Sequence, residues 1–202
     1  MNTKNKIVEA TFILSMEYGY DNVSIKQIKE KSKIAASSIY HHYKNKDAIL
    51  SYMIQKYFVE KITELKNLCY EFEGTFIEKL RFIYYRSIGI DIQDNKKPIR
   101  KINGEIIDYK KYYLMLNSIY HQHPEYRDLF DNMTHNVVHI FKESVDEFIY
   151  KKELDINISP NKMALFLFTN IKGFINLWMT LSDSDVDEII DANLEAIKQI
   201  IN

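Results

Sequence analysis

Glycine and proline are scarce in this chain, 5 and 3 among 202 residues, and that scarcity narrows the choice of fold more than any other feature. Tight reversals between strands lean on those two residues, so an all-β or loop-rich architecture is disfavoured and an all-α one is expected. Hydrophobic content of 46% beside 27% charged residues is that of a chain with a core, not a disordered one. The length suits one large domain or a small one plus a medium one. Cys69 is the only cysteine, which excludes an internal disulfide framework and a cysteine-based zinc site and fits a reducing compartment.

Apolar spacing predicts the helices one by one. The first runs from Lys4 to Tyr18, with Ile7, Ala10 and Leu14 on one face and Gly19 as its stop. Ser24 and Gln27 have the spacing of a capping box, opening a second helix that ends near Lys31. Ser32-Lys33-Ile34 reads as a turn and Ala35 to His42 as a third helix. Asn45 caps a long fourth, through about Tyr70. Further helices follow from Phe76, from Tyr109 to His121, and from Pro124 to Lys152. Ser159-Pro160 opens one more, and the last starts at about Ser184. Residues 91–108 are the least regular; Asn103-Gly104 there is either a hairpin turn or a loop within a helical layer.

Charge is unevenly spread. Residues 1–50 carry a net +3 and the remainder a net −4, a basic head on an acidic body, which fits contact with phosphate at one end. The first twenty residues are amphipathic and lack the apolar centre of a signal peptide. Asn170, Lys172 and Asn176 interrupt the one long apolar run, Met163 to Leu181, so a buried helix is expected there and no membrane span.

The stretch from Ile28 to Lys46 reads IKEKSKIAASSIYHHYKNK. Two short helices with a three-residue turn between them have the plan of a helix-turn-helix, whose second helix lies in the major groove of DNA. Hydroxyls and an aromatic OH donate to phosphate oxygens and lysine supplies point charge. A plain helical bundle remains the alternative for such a pattern alone.

The order of the parts is more telling. Ile7-Val8-x-Ala10, Gly19-Tyr20, Val23-Ser24-Ile25-x-x-Ile28 and Ile39-Tyr40-His41-His42-Tyr43-x-Asn45-Lys46-Asp47-x-Ile49-Leu50 resemble the tetracycline-repressor (TetR) family of bacterial transcription regulators. The likeness covers about the first fifty residues. It implies a helix-turn-helix DNA-binding domain at 1–46 and a helical effector-binding and dimerisation domain at 47–202. It further implies that Ser24 and Lys26 meet phosphate, that Ala36, Ser37 and Ser38 face base edges or backbone, and that Tyr40 and His41 reach alongside. Lys46, by the same likeness, is expected to bind phosphate at a helix start. The family commonly has Ala-Gly where this chain has Ser32-Lys33, so Lys33 is expected to carry strain of about 1 kcal/mol or a different turn. Ala35 stands where a capping Ser or Thr is usual, and Ala36 lacks the long polar side chain that reads guanine or adenine.

For the body, 15 Tyr and 11 Phe predict a core with some phenols around a cavity. Tyr84, Tyr113, Phe174 and Trp178 are its candidate walls, chosen without a motif. His135 and His139, at i and i+4, have metal spacing but fall opposite the apolar face, and no metal or other cofactor is expected. The last two helices suggest a four-helix homodimer seam, with Ile190 and Ile197 in it. The function expected is a cytoplasmic, ligand-responsive repressor that binds double-stranded palindromic operator DNA as a homodimer. A small apolar or aromatic effector releases it. A regulator answering to a protein partner is one alternative and a helical enzyme another, though no nucleophile–base or carboxylate pair supports the latter.

Overall fold

The computed structural model describes residues 2–94, 96–99, 101–102, 105–181 and 186–201. Ten α-helices are described: α1 (Thr3–Tyr18), α2 (Ile25–Ser32), α3 (Ala36–His42), α4 (Lys46–Ile54), α5 (Glu60–Tyr70), α6 (Phe76–Ser87), α7 (Tyr109–Gln122), α8 (Arg127–Tyr150), α9 (Pro160–Thr180) and α10 (Val186–Ile201). Short 3-10 turns occupy Tyr20–Asn22 and Pro124–Tyr126. The long helix expected from Asn45 to Tyr70 is continuous but not uniform, because Gln55–Val59 form a wider π turn between α4 and α5.

Local chemistry accounts for most helix ends. The Asn2 side chain caps α1 and Gly19, at φ 78°, ends it. Asn45 accepts from the Ala48 N–H at 2.9 Å to start α4. A second capping box opens α6, where Thr75 Oγ1 accepts from the Glu78 N–H and Glu78 Oε2 accepts from the Thr75 N–H at 2.8 Å. Asp108 caps α7 through the Lys110 and Lys111 N–H groups, and Ser159 caps α9, with Pro160 in its first turn as expected.

The irregular stretch holds two miniature strand pairings, the first of them antiparallel. β1 (Ile90–Asp91) pairs with β2 (Lys97–Pro98), and β3 (Lys101–Ile102) with β4 (Glu105–Ile106). Asn103 and Gly104 lie outside the described residues, as does Ser184, the expected start of the last helix.

The chain divides into two compact units, residues 1–63 with 102–130, and 64–101 with 131–202. The first gathers α1 to α4 and α7 around Ile7, Val8, Phe12, Ile28, Ile39, Ile49, Leu50 and Met53, all fully buried. Its aromatics pack on each other: Phe12 stacks on Tyr57 at 4.0 Å, and Tyr112 meets Phe58 edge-on at 5.6 Å. The second unit packs α6, α8, α9 and α10 around Leu80, Tyr84, Phe141, Val145, Phe148, Met163 and Leu167.

One expectation is corrected in that second unit. Ile190, Leu194, Ile197 and Ile201, the stripe assigned to a dimer seam, are buried against the unit's own core, with Ile190 at 0% and Ile197 at 1% exposure. The stripe's period showed that the face is covered but not what covers it, and α6 and α9 do so first. On these two helices the large apolar side chains left outside are Leu165, Phe166 and Leu177 of α9 and Ile200 of α10. No helix among the described residues is long and apolar enough to cross a membrane.

Candidate nucleic-acid interface

Three helix starts build the interface. At α2, Ser24 Oγ accepts from the Gln27 N–H at 3.3 Å while Gln27 Oε1 accepts from the Ser24 N–H at 2.8 Å and from its hydroxyl at 2.7 Å. The expected capping box is therefore complete, and Ser24 and Lys26 are exposed beside it. Ile28 points inward at 0% exposure and fixes α2 on the core.

Lys33 takes the left-handed conformation, φ 58° and ψ 30°, at the end of α2. The chain thus makes the turn a glycine would favour and carries a lysine through it, one of the two outcomes expected. Ser32 Oγ accepts from the Ile34 N–H at 3.2 Å and steadies the turn. Ala35 precedes α3 with no side-chain cap, as expected of an alanine there.

Ile39, fully buried, and Tyr43, at 5% exposure with its OH donating to the Lys4 carbonyl at 3.4 Å, anchor α3. Burial pushes the Tyr43 phenol up to about 12, so it stays a donor. With that side tied down, Ser37, Tyr40 and His41 are exposed at i, i+3 and i+4 and share one face. Tyr40 is 56% exposed, unusual for an aromatic without a partner surface. Ala36 and Ser38 are half-buried at its edge. His42 is half-buried with its ring edge-on to His41 at 5.4 Å.

Lys46 begins α4 in a defined pose. Its Nζ donates to the Asp21 carbonyl at 3.0 Å and lies 4.3 Å from the centre of the Tyr20 ring. Tyr20 OH donates back to the Lys46 carbonyl at 2.6 Å. Burial lowers the Lys46 ammonium below its usual range, opposed by the carboxylates of Asp21 and Asp47. Burial likewise raises the Tyr20 phenol, helped by Asp47. The spacing Gly19-Tyr20 carried this interaction in the sequence, but nothing there paired Tyr20 with Lys46.

The four candidate effector residues fall in different surroundings. Tyr84 and Phe174 form a buried edge-to-face pair at 5.0 Å, and the Tyr84 hydroxyl donates to Asn170 Oδ1. Trp178 is half-buried on α9 of the same unit. Tyr113, half-buried on α7 with its ring 5.5 Å from Tyr112, belongs to the first unit. A cavity of about 780 Å³ opens in the second unit beside Lys66, Cys69, Lys79, Ile140, Glu143 and Glu147, and none of the four lines it. His135 and His139 are exposed, with His139 Nδ1 3.5 Å from Glu143, and no cluster of three or more metal-type ligands occurs among the described residues.

Known proteins align with this geometry. The pattern described as bacterial regulatory proteins, tetR family, matches residues 7–53, from the middle of α1 into α4. The transposon Tn10 TetC protein of Escherichia coli is 33% identical over 108 residues, 50% of this chain and 51% of that protein. The HTH-type negative transcriptional regulator IcaR of the biofilm operon icaADBC, from Staphylococcus epidermidis, is 28% identical over 109 residues, 51% of this chain and 58% of that one. The chain spans about half the length of these curated relatives. The fold carries the likeness further: a TetR-family transcriptional regulator from Cytophaga hutchinsonii superposes with a TM-score of 0.74 at 17% identity, covering 98% of this chain and 94% of the other. Residues 7–53 therefore carry the pattern of the tetR family of bacterial regulatory proteins, and the chain as a whole shares its all-α architecture with a solved structure of that family.

Proposed function

We propose that this DNA-binding regulator, which is not an enzyme, is a repressor that binds a palindromic operator as a homodimer and leaves it when a small effector binds. The observation that carries the DNA-binding reading is the exposed Ser37–Tyr40–His41 face of α3, flanked by Ser24 and Lys26 at one helix start and by Lys46 at another. Residues 1–46 act as the DNA-binding head and 47–202 as the effector-binding and dimerising body, two roles that need not follow the packing units. Ser24, Lys26, Tyr40, His41 and Lys46 take the phosphates, with Ala36, Ser37 and Ser38 nearest the base edges. Alanine and serine make few long bidentate contacts, so affinity rests mainly on phosphate.

Two recognition helices are needed to read both halves of a palindrome. The apolar residues left outside on α9 and α10, Leu165, Phe166, Leu177 and Ile200, support a second copy packed there. The repressor sign is favoured by IcaR, a negative regulator by name. The cavity of about 780 Å³ is within the range of small-molecule sites. Its charged walls favour an effector with polar groups, whereas Tyr84, Phe174 and Trp178 suit an apolar one. A cytoplasmic location fits action on DNA.

A gel-shift titration against a palindromic duplex, selected from random DNA by the unmodified protein, tests the reading. Lys46→Ala is expected to weaken binding to all sequences and to flatten the dependence of log K on log salt by about one unit of slope. Ser38→Ala is expected to change the preference among duplexes. Unchanged affinity and slope in Lys46→Ala would overturn the docking.

A further inference from the structure

His123 stands at the C-terminal end of α7, its N–H donating to the Ile119 carbonyl at 2.9 Å. Its ring reaches residues 102 positions away. Nε2 lies 3.1 Å from Asp21 Oδ1, and the ring meets Tyr20 edge-on at 5.6 Å. Nδ1 lies 3.2 Å from Glu125 Oε1, and the side chain is 14% exposed. Asp21 thus faces two ways: its carboxylate meets His123 and its carbonyl accepts from Lys46 Nζ. All these residues fall in the first compact unit.

We propose that His123 and Asp21 are positioning residues for DNA binding: together they hold the Tyr20–Lys46 pair, and with it the first turn of α4, in the pose that meets phosphate. The proposal rests on the reading of Lys46 as a phosphate contact. The physical basis is pre-organisation. A lysine side chain has several rotatable bonds, and a phosphate must immobilise it on binding. Here the ammonium is already localised by the Tyr20 ring and the Asp21 carbonyl. That carbonyl belongs to a three-residue 3-10 turn, Tyr20–Asn22. His123 supplies the restraint from α7, a longer helix anchored by Tyr112, Met115 and Ile119.

Both ring nitrogens face carboxylate oxygens, Asp21 on one side and Glu125 on the other, so the ring is held between two acceptors. The groups around it are Asp21 and Tyr20 from the 3-10 turn, Glu125 and Tyr126 from the turn before α8, and Lys46 and Asp47 behind them.

The experiment uses the full-length protein and the selected palindromic duplex, with affinity measured across salt. His123→Ala is expected to raise Kd about threefold to tenfold, the effect of one lost hydrogen bond, with the salt slope unchanged because no phosphate-contacting charge is removed. His123→Gln retains a donor towards Asp21 and should recover most of the affinity. Lys46→Ala, which should flatten the slope, separates the two readings. If Lys46→Ala changes nothing, the phosphate assignment falls. If Lys46→Ala weakens binding while His123→Ala matches the unmodified protein, the positioning role falls. Should His123→Ala not fold, Asp21→Ala decides, since it removes the carboxylate and keeps the carbonyl: affinity equal to that of the unmodified protein overturns the proposal.

Discussion

Lys79 on α6 donates from Nζ to Glu147 Oε2 on α8 at 2.6 Å, with only 1% of the lysine side chain exposed against 32% of the glutamate. The pair is asymmetric, because Glu147 also accepts from Lys151 at 2.6 Å whereas Lys79 has the Phe148 ring at 5.1 Å as its other neighbour. Removing the glutamate charge strands a buried cation; removing the lysine leaves a carboxylate near water with a partner. Glu147→Gln is expected to cost about 2–4 kcal/mol and Lys79→Met about 1 kcal/mol or less. Urea midpoints at constant slope would show the order, and equal losses would contradict it.

The same pair sets a pH dependence. Burial pushes the Glu147 carboxyl up, but hydrogen bonds from Lys151 and Lys79 outweigh it and hold the group below its ordinary 4.5. A depressed carboxylate contributes stability above its unfolded value and loses it as pH falls through the folded one. Acid unfolding below pH 4.5 should therefore be shallower in Glu147→Gln than in the unmodified protein, read by circular dichroism against pH.

Charge placed on the outer face of α9 should behave differently from charge placed in the core. Leu177→Lys, at a side chain 45% exposed, is expected to keep the helical spectrum, sediment as a monomer and lose tight binding to a palindrome. Ile190→Lys, at 0% exposure, should instead unfold the body, with a loss of several kcal/mol. A stable dimer in Leu177→Lys would move the proposed seam elsewhere.

Lys33 provides a backbone test. At φ 58° a side chain costs about 1 kcal/mol relative to glycine, partly offset by glycine's greater freedom when unfolded. Lys33→Gly should raise the melting temperature by about 1–2 °C and Lys33→Val should lower it by more. Differential scanning calorimetry distinguishes the two signs.

Cys69 is 3% exposed, and burial pushes its thiol up to about 11, against the pull of Lys79 and Arg86. Alkylation at pH 8 should be slow in the native protein and quick in urea. Rapid native labelling would mean that α5 opens at its end.

Local signals were legible and long-range ones were not. Ser24 with Gln27, Asn45 and Ser159-Pro160 announce helix starts because a cap and its partners lie within a few residues. The second capping box, Thr75 with Glu78, has the same spacing and stands at the start of the helix expected from Phe76. In the structure Ile39 and Tyr43 are buried and turn Ser37, Tyr40 and His41 to the outside of α3. Nothing local joins Asp21 to His123, or Tyr84 to Asn170, since those pairs exist only after the chain has folded. The aromatic count pointed to a cavity, yet Phe12 with Tyr57 and Tyr84 with Phe174 satisfy one another. Composition records how much surface must be covered and leaves open which ring covers which.

The π turn at Gln55–Val59 keeps the inward face of this helix in line. Buried doublets recur every four residues across it, at Ile49-Leu50, Met53-Ile54 and Tyr57-Phe58. On an ideal helix of 3.6 residues per turn each such repeat would slip sideways by about 40°, and the wider turn takes up that slip. The five residues of the turn rotate the chain by roughly what four α-helical residues would, so a deletion within 55–59 would restore a regular helix and leave the residues after it facing much as before. A deletion in the regular parts of the same helix has no such slack and would swing everything after it by about 100°.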